Sequence, residues 1–252
     1  MLRISRILFA FAFIIGSISI GRAQDAAEIV RKSDERMRGE SSYGEMVMSV
    51  IRPGWRRDIS MKSWSKGSDY ALILITAPAR DKGAAFLKRQ KEIWNWQPTI
   101  DRVIKLPPSM MGQSWMGSDF TNDDLVRESS IVNDFTHRII GDTTIMDRKT
   151  YIIEMIPKEG TAVVWGKLIT YIDDKDYLQL KTLFYDEDGE LINILTATKI
   201  EKMDERMIAS KIEMTPADSP NQKTVIEYKT IDFNIPIQES FFSVQNMKSL
   251  RP

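Results

Sequence analysis

The stretch from Lys91 to Leu125, KEIWNWQPTIDRVIKLPPSMMGQSWMGSDFTNDDL, decides how the rest of the chain is read. Its first half predicts two short strands, Ile93 to Gln97 and Arg102 to Leu106, joined across Pro98 to Asp101. Its second half sets Met110, Met111, Trp115 and Met116 among Gly and Ser residues, with neither a strand nor a helix period. Loops normally run over the surface, where their backbone groups meet water, so an apolar loop must cover something greasy or be covered by it. The segment is therefore expected at the mouth of an apolar cavity.

Upstream of it the residues alternate as strands do. Tyr43 to Arg52 and Trp55 to Lys66 form a hairpin about Pro53-Gly54, with Trp55, Ile59 and Met61 close to one face and Arg56, Asp58 and Lys62 on the other. Ala71 to Thr76 is apolar at nearly every position, so both of its faces should be covered. Ala84 to Lys88 continues the sheet. Downstream, Thr121 or Asn122 caps a short helix. Strands follow over Phe135 to Ile145, Tyr151 to Pro157, Val163 to Asp173, Leu178 to Tyr185, Leu191 to Lys202, Ile208 to Thr215 and Thr224 to Phe233. A repeat of about 10 to 14 residues between turns favours a meander over βαβ units, and about eleven strands are expected. Ile237 to Phe242 closes the chain, with Phe241 and Phe242 plugging an edge or end of the sheet.

Two segments ahead of the strands read differently. Arg3 and Arg6 precede an apolar run from Ile7 to Ile20, and Gly21-Arg22-Ala23 supplies small residues where a signal peptidase reads. The run is about 14 residues, short of the roughly 20 that a membrane span needs. Cleavage after Ala23 is expected, with release into the periplasm and no lipid anchor, since there is no cysteine to carry one. Asp25 then caps a helix over Ala26 to Arg38 that puts Ala26, Ile29, Val30, Ser33 and Met37 on one face and stops at Gly39. A helix this short is marginal alone, so its apolar side should lie on the sheet.

Composition excludes several classes. The full chain has 35 basic and 35 acidic residues; removing Arg3, Arg6 and Arg22 leaves 32 against 35, a net charge of −3 for residues 24–252, which is not the charge of a nucleic-acid binder. A core without cysteine has to hold by apolar burial alone. No thiol is available as a nucleophile, and the one histidine, His137, sits in a strand-like run where a half-exposed sheet residue is the commoner role. No GxSxG elbow, HExxH helix or phosphate loop is present. Asp186-Glu187-Asp188-Gly189 resembles the start of a calcium loop, but Leu191 and Ile192 resume the strand too soon, and Gly189 suits a hairpin turn. Asp173, Asp174 and Asp176 read as a solvated turn. Asp119, Asp123 and Asp124 read as caps more than as functional carboxylates. No enzyme, cofactor or metal is expected.

Trp94-Asn95-Trp96-Gln97-Pro98, Arg102 to Pro108, Gly117-Ser118-Asp119-Phe120, Asp123-Asp124-Leu125 and the upstream Lys82 to Leu87 resemble the outer-membrane lipoprotein-sorting, LolA-like family. The match is closest to an uncharacterised branch of periplasmic proteins with a GSDF-type segment, and it spans nearly all of residues 24–252, read as one lipid-binding domain after a signal peptide at 1–23. The resemblance implies a mainly β fold: an unclosed antiparallel half-barrel covered by an N-terminal helix and short lid helices, holding lipid or lipoprotein acyl chains. It also implies an inner-membrane exporter of the RND or ABC type as partner, or, in related regulators, a lipoprotein sensor acting on a signalling protein. In the well-known carriers an arginine near the end of the second strand latches the lid; Trp64-Ser65-Lys66 brings that position to Gly67, with Lys66 as the neighbouring cation.

The residues expected at the acyl-chain site are Trp64, Trp94, Trp96, Met110, Met111, Trp115, Met116 and Phe120. Methionine is flexible and polarisable, so a Met-rich loop suits a guest of variable shape, and Trp94 and Trp96 share one face of a strand. Two or three acyl chains in such a pocket would bind without a charged contact. A monomer is expected.

Overall fold

The structure, a computed structural model, describes residues 25–126, 130–161 and 163–252. The signal segment read over 1–23 lies outside the described residues. Helix α1 (Ala26–Arg38) starts at Asp25, whose side chain accepts from the Ala27 amide at 3.0 Å, and ends at Gly39 with φ of 65°. Ile29 and Val30 are 0% and 1% exposed against the sheet, a burial worth about 2 kcal/mol each. Six strands follow in order: β1 (Ser41–Arg52), β2 (Trp55–Lys66), β3 (Tyr70–Ala77), β4 (Ala85–Arg89), β5 (Glu92–Gln97) and β6 (Arg102–Lys105). A lid segment then carries 3-10 turns at Pro108–Met110 and Trp115–Gly117 and two short helices, α2 (Asn122–Val126) and α3 (Ser130–Asn133). Seven more strands complete the fold: β7 (Phe135–Ile145), β8 (Arg148–Pro157), β9 (Lys167–Asp173), β10 (Gln179–Tyr185), β11 (Leu191–Met203), β12 (Arg206–Pro216) and β13 (Lys223–Phe233). The chain closes with a 3-10 turn at Glu239–Phe241 and helix α4 (Val244–Ser249).

All thirteen strands belong to one antiparallel sheet, ordered β6-β5-β4-β3-β2-β1-β13-β12-β11-β10-β9-β8-β7. Every strand pairs with its neighbours in sequence except across the β6 to β7 connection, and the pairing of β1 with β13 welds the two meanders together. The count exceeds the expected eleven: every one of the thirteen strand-like runs of the sequence, down to the short one at β6, pairs as a member of the ladder. Register shifts at Glu45/Met46, Ser60/Met61 and Ile139/Gly141 are bulges, which increase local twist and help the sheet curl. Edges β6 and β7 are not bonded to each other, so the half-barrel is unclosed, and the lid is the chain that runs between them. Among the described residues no helix is long and apolar enough to cross a membrane.

The two faces of β3 show how strand period builds two layers. Ile73 and Ile75 face the inner core with Ile29, Met48 and Ile59. Leu72 and Leu74 face outward and are covered by Phe242 and Met247 of the C-terminal segment. The uniformly apolar sequence of β3 is thus matched by cover on both sides. Phe241 and Phe242 lie over this outer face, packed against Trp64 and Tyr70 with ring centroids 5.5 Å apart in each pair.

Strand β9 begins four residues later than the sequence reading placed it. Gly166 leaves the ladder there and passes against the turn after β10, donating its amide to Tyr185 at 2.9 Å. A Cβ on Gly166 would meet the Asp186 carbonyl oxygen at 2.3 Å, closer than backbone allows. Gly166→Ala should therefore lower stability by about 1 to 3 kcal/mol, read as a shift of the urea midpoint with an unchanged slope.

Candidate functional site

The lid is fastened to the sheet at Asp119. Its carboxylate accepts from Arg52 Nη2 at 2.8 Å and Nη1 at 3.0 Å, a two-pronged contact, and from the Thr224 hydroxyl at 2.7 Å. The Asp119 carbonyl accepts from Asn193 Nδ2 at 3.2 Å. One residue of the lid thereby grips β1, β11 and β13. The Arg52 and Asp119 side chains are only 15% and 8% exposed, so a single partner left alone would keep a poorly solvated charge. Just before it, Met116 and Gly117 both take positive φ, 51° and 73°, and Arg57 donates to the Met116 carbonyl. This turn brings Trp115 and Phe120 together beneath the lid, with the Trp115 amide donating to the Phe120 carbonyl at 2.8 Å. Trp115 is fully buried, its ring 5.1 Å from Phe86.

Past Phe120 the lid becomes helix α2 through reciprocal bonds between Thr121 and Asp124. The Asp124 amide donates to Thr121 Oγ1 at 3.1 Å, and Asp124 Oδ2 accepts from the Thr121 amide at 2.8 Å, which satisfies two backbone donors at a helix start. Asp124 Oδ1 accepts from Trp165 Nε1 at 2.8 Å, tying the lid to the segment before β9. Asp124 thus caps as read and adds a tertiary contact, whereas Asp119 binds Arg52 and Thr224 in place of a cap. Burial pushes the Asp124 carboxyl up from the ordinary 3.8, against the lowering effect of Thr121 and Trp165.

Under α1 and the lid, the inner face of the sheet leaves a cavity of about 260 Å³. Its walls include Phe120, Phe135, Met155, Leu195, Ile212 and Met214. Lys88 and Asp124 also reach it; Lys88 is buried and donates to the Ser68 carbonyl at 2.7 Å. Beside the cavity lies an open cleft of about 840 Å³ between the second half of α1, the Gly67-Ser68 turn and Asp176-Tyr177. Asp34, Arg38, Gly67 and Ser68 line both spaces, so the cavity meets the cleft there.

The residues expected at the site separate into two groups. Phe120 and Trp64 border the cavity. The Trp64 ring itself lies among outer-face aromatics, 5.4 Å from Tyr43 and 5.5 Å from Phe241. Trp94 and Trp96 do share one strand face, and it is the outer one, where they pack with Phe242 and Met247; Lys248 Nζ sits 4.6 Å over the Trp96 ring. Met111 is buried against Ile93, Met116 packs on the inner core, and Met110 offers its carbonyl to Asn122 Nδ2 at 2.8 Å within the lid. These five and Trp115 are not among the residues that line the cavity. The lining that was not singled out, such as Ile212 and Met214 on β12, carried a usable signal: alternate positions on consecutive strands share a face.

Other expectations resolve locally. The latch position Gly67 is a turn residue with φ of 52°, and Lys66 Nζ donates to the Ile237 carbonyl at 2.9 Å, so this cation holds the C-terminal segment rather than the lid. His137 is half-buried with its Nε2 2.8 Å from the Ile131 carbonyl. Asp186 to Gly189 is a hairpin turn, with Asp186 Oδ1 accepting from the amides of Asp188 and Glu190. The reading of Asp173 as solvated is corrected: its side chain is 1% exposed, and it accepts from Arg148 Nη1 at 2.5 Å and from the Leu178 amide at 2.6 Å. Arg148 also takes Asp176 at 2.8 Å, so the turn carboxylates serve an internal ion pair.

An unclosed antiparallel half-barrel with its opening spanned by helices is the LolA-like fold, and solved structures match it closely. A DUF1329 family protein from Desulfovibrio piger superposes with a TM-score of 0.80 at 22% identity, covering 88% of this chain and 97% of its own. An outer-membrane lipoprotein-sorting protein domain from Vibrio parahaemolyticus gives 0.79 at 21% identity, with 88% and 98% covered. A LolA-superfamily protein from Nitrosomonas europaea gives 0.76 at 20% identity, with 88% and 99% covered. A family model described as "Uncharacterized protein" matches residues 67–249, and the chain belongs to that family. No curated protein matches the chain.

Two outcomes test the lid's anchorage. Asp119→Ala should cost about 3 kcal/mol by stranding Arg52 and speed amide exchange over residues 107–126, whereas the double change Arg52→Met with Asp119→Leu should recover most of that loss. Because burial raises the Asp124 carboxyl, the folded chain holds that proton more tightly than the unfolded one, so this group's contribution is complete below 3.8 and is lost as pH rises through the folded value. The stability deficit of Asp124→Asn should consequently shrink between pH 4 and pH 7, followed by urea unfolding.

Proposed function

We propose that the protein is a non-enzymatic periplasmic carrier that binds lipid or lipoprotein acyl chains in the cavity beneath its lid. Its role would be outer-membrane lipoprotein sorting or lipid transport, with an inner-membrane exporter of the RND or ABC type as donor or acceptor. The observation that carries this reading is the cavity itself: the inner sheet face leaves about 260 Å³ unfilled beneath α1 and the lid, walled by a majority of apolar and aromatic side chains such as Phe135, Met155, Leu195 and Ile212, with Lys88, Asp123 and Asp124 among the polar ones. A cavity lined mostly by apolar groups favours hydrocarbon over water, and each methylene transferred contributes about 0.8 kcal/mol. The fold shared with a lipoprotein-sorting domain supports the same reading. The lid is the one segment that joins two unpaired sheet edges, and its grip through Asp119 and Asp124 rests on a few polar contacts that can be released and remade, as entry and exit of a guest require.

The test is direct. Protein purified from the periplasm should carry extractable lipid by mass spectrometry, and delipidated protein should take up a labelled single-chain fatty acid and yield it to acceptor vesicles. Leu195→Trp, which fills part of the cavity, should weaken uptake about tenfold, equivalent to 1.4 kcal/mol, while the melting temperature stays within a few degrees. Absence of both co-purified lipid and uptake would overturn the carrier. Tight capture of an inner-membrane regulator that is lost on lipid loading would favour the sensor reading instead.

A further inference from the structure

Resting on the carrier reading, we propose that the cavity and the adjoining cleft form one two-part site for a single-chain anionic amphiphile, with the hydrocarbon tail in the cavity and the charged head in the cleft.

The first argument is volume. A methylene occupies about the space of a water molecule, roughly 30 Å³, so a cavity of about 260 Å³ accepts roughly nine methylenes. That is one medium-length tail, and it replaces the two or three chains expected from sequence. Binding a second tail would require the lid to move, releasing the contacts by which its Asp119 and Asp124 hold β1, β13 and the segment at Trp165.

The second argument is the way out. A tail seated among Met155, Leu195 and Met214 leaves the cavity where Asp34, Arg38, Gly67 and Ser68 line both spaces. Gly67, with φ of 52° and nothing within 4 Å of a Cβ built on it, keeps that passage open. Beyond it the tail's head group would emerge among charges rather than in apolar surroundings.

The third argument is the balance of those charges. The cleft is lined by six cationic side chains, on Arg31, Lys32, Arg36, Arg38, Lys175 and Arg206, against four carboxylates, on Asp34, Glu35, Glu40 and Asp176. Three of the four carboxylates are already engaged, Glu35 with Arg31, Asp34 with Arg38, and Asp176 with Arg148 at 2.8 Å and Arg36 at 3.7 Å, which leaves Glu40 as the one acidic group to set against the remaining cations among the described residues. Lys32 touches Tyr177, at 3.4 Å from its hydroxyl and 4.9 Å over its ring, and meets Glu28 only at 3.7 Å, and Lys175 is exposed. Among the described residues the surplus sign is positive, and a carboxylate or phosphate head complements it.

Isothermal titration of the delipidated protein below the micelle concentration tests this with four ligands: decanoate, decyl phosphate, neutral decyl maltoside and two-chain didecanoyl phosphatidylglycerol. Decanoate and decyl phosphate should each bind at least about tenfold more tightly than the other two, and the better of the pair tells a carboxylate head from a phosphate one. In the variant Lys32→Glu with Lys175→Glu, both anionic ligands should fall to the level of decyl maltoside, whose own affinity stays unchanged. The proposal is overturned if the two-chain lipid binds as well as decanoate, or if the anionic preference survives in the variant. In either case the carrier reading stands; binding of none of the four would remove both.

Discussion

Thirteen strands that pair in a single run, with the first welded to the last, leave two edges that never meet, and the rest of the molecule answers that gap. A sheet curled this far has an inner surface too large for one short helix to cover. The chain therefore spends its longest connection between consecutive strands, from β6 to β7, on spanning the opening. Such a connection has no ladder of its own, so its hold on the sheet comes from side chains: Asp119 on Arg52 and Thr224, Asp124 on Trp165, Arg57 on the Met116 carbonyl. Trp115 and Phe120 add buried apolar contacts to that hold, and a cover fixed by side chains alone, outside the strand ladder, can leave without unfolding the sheet, which is the physical basis for reading it as a lid.

The two faces of the sheet are stabilised differently, and this bears on function. The outer face of β3 to β5 is sealed by the C-terminal segment, where Phe241, Phe242 and Met247 pack on Leu72, Leu87, Trp64 and Trp96. Those aromatic residues complete a solid layer and bring stiffness to the wall. The inner face is closed by parts that come from distant points in the chain, α1 and the lid, and the incomplete fit among them is where the cavity lies. Rigidity on one side and a replaceable cover on the other suit a container.

Much of the fold could be read in advance because its signals are local. The Asp25 cap, the apolar face of α1, the Pro53-Gly54 and Asp186 to Gly189 turns and the period-two strands each depend on residues within a few positions of one another, and each stands where the sequence placed it apart from the late start of β9. The all-apolar run in β3 announced cover on both sides and has it. The site was less legible. Trp94 and Trp96 were correctly assigned to one face, but alternation does not say which face is concave, because the direction of curl comes from twist and bulges summed over the whole sheet.

By itself, then, the sequence determined the element types, their order and the presence of an apolar loop between the strand pair around Trp94 and the strands that follow. It also pointed to the LolA-like fold that the solved neighbours share. Only the tertiary structure decided what that loop covers, that Lys66 serves the C-terminal segment, that Arg52 serves the lid, and which methionines face empty space. The reason is range: caps, turns and periodicity act over a few residues, whereas a cavity is the volume left over after segments a hundred or more positions apart have packed as well as they can.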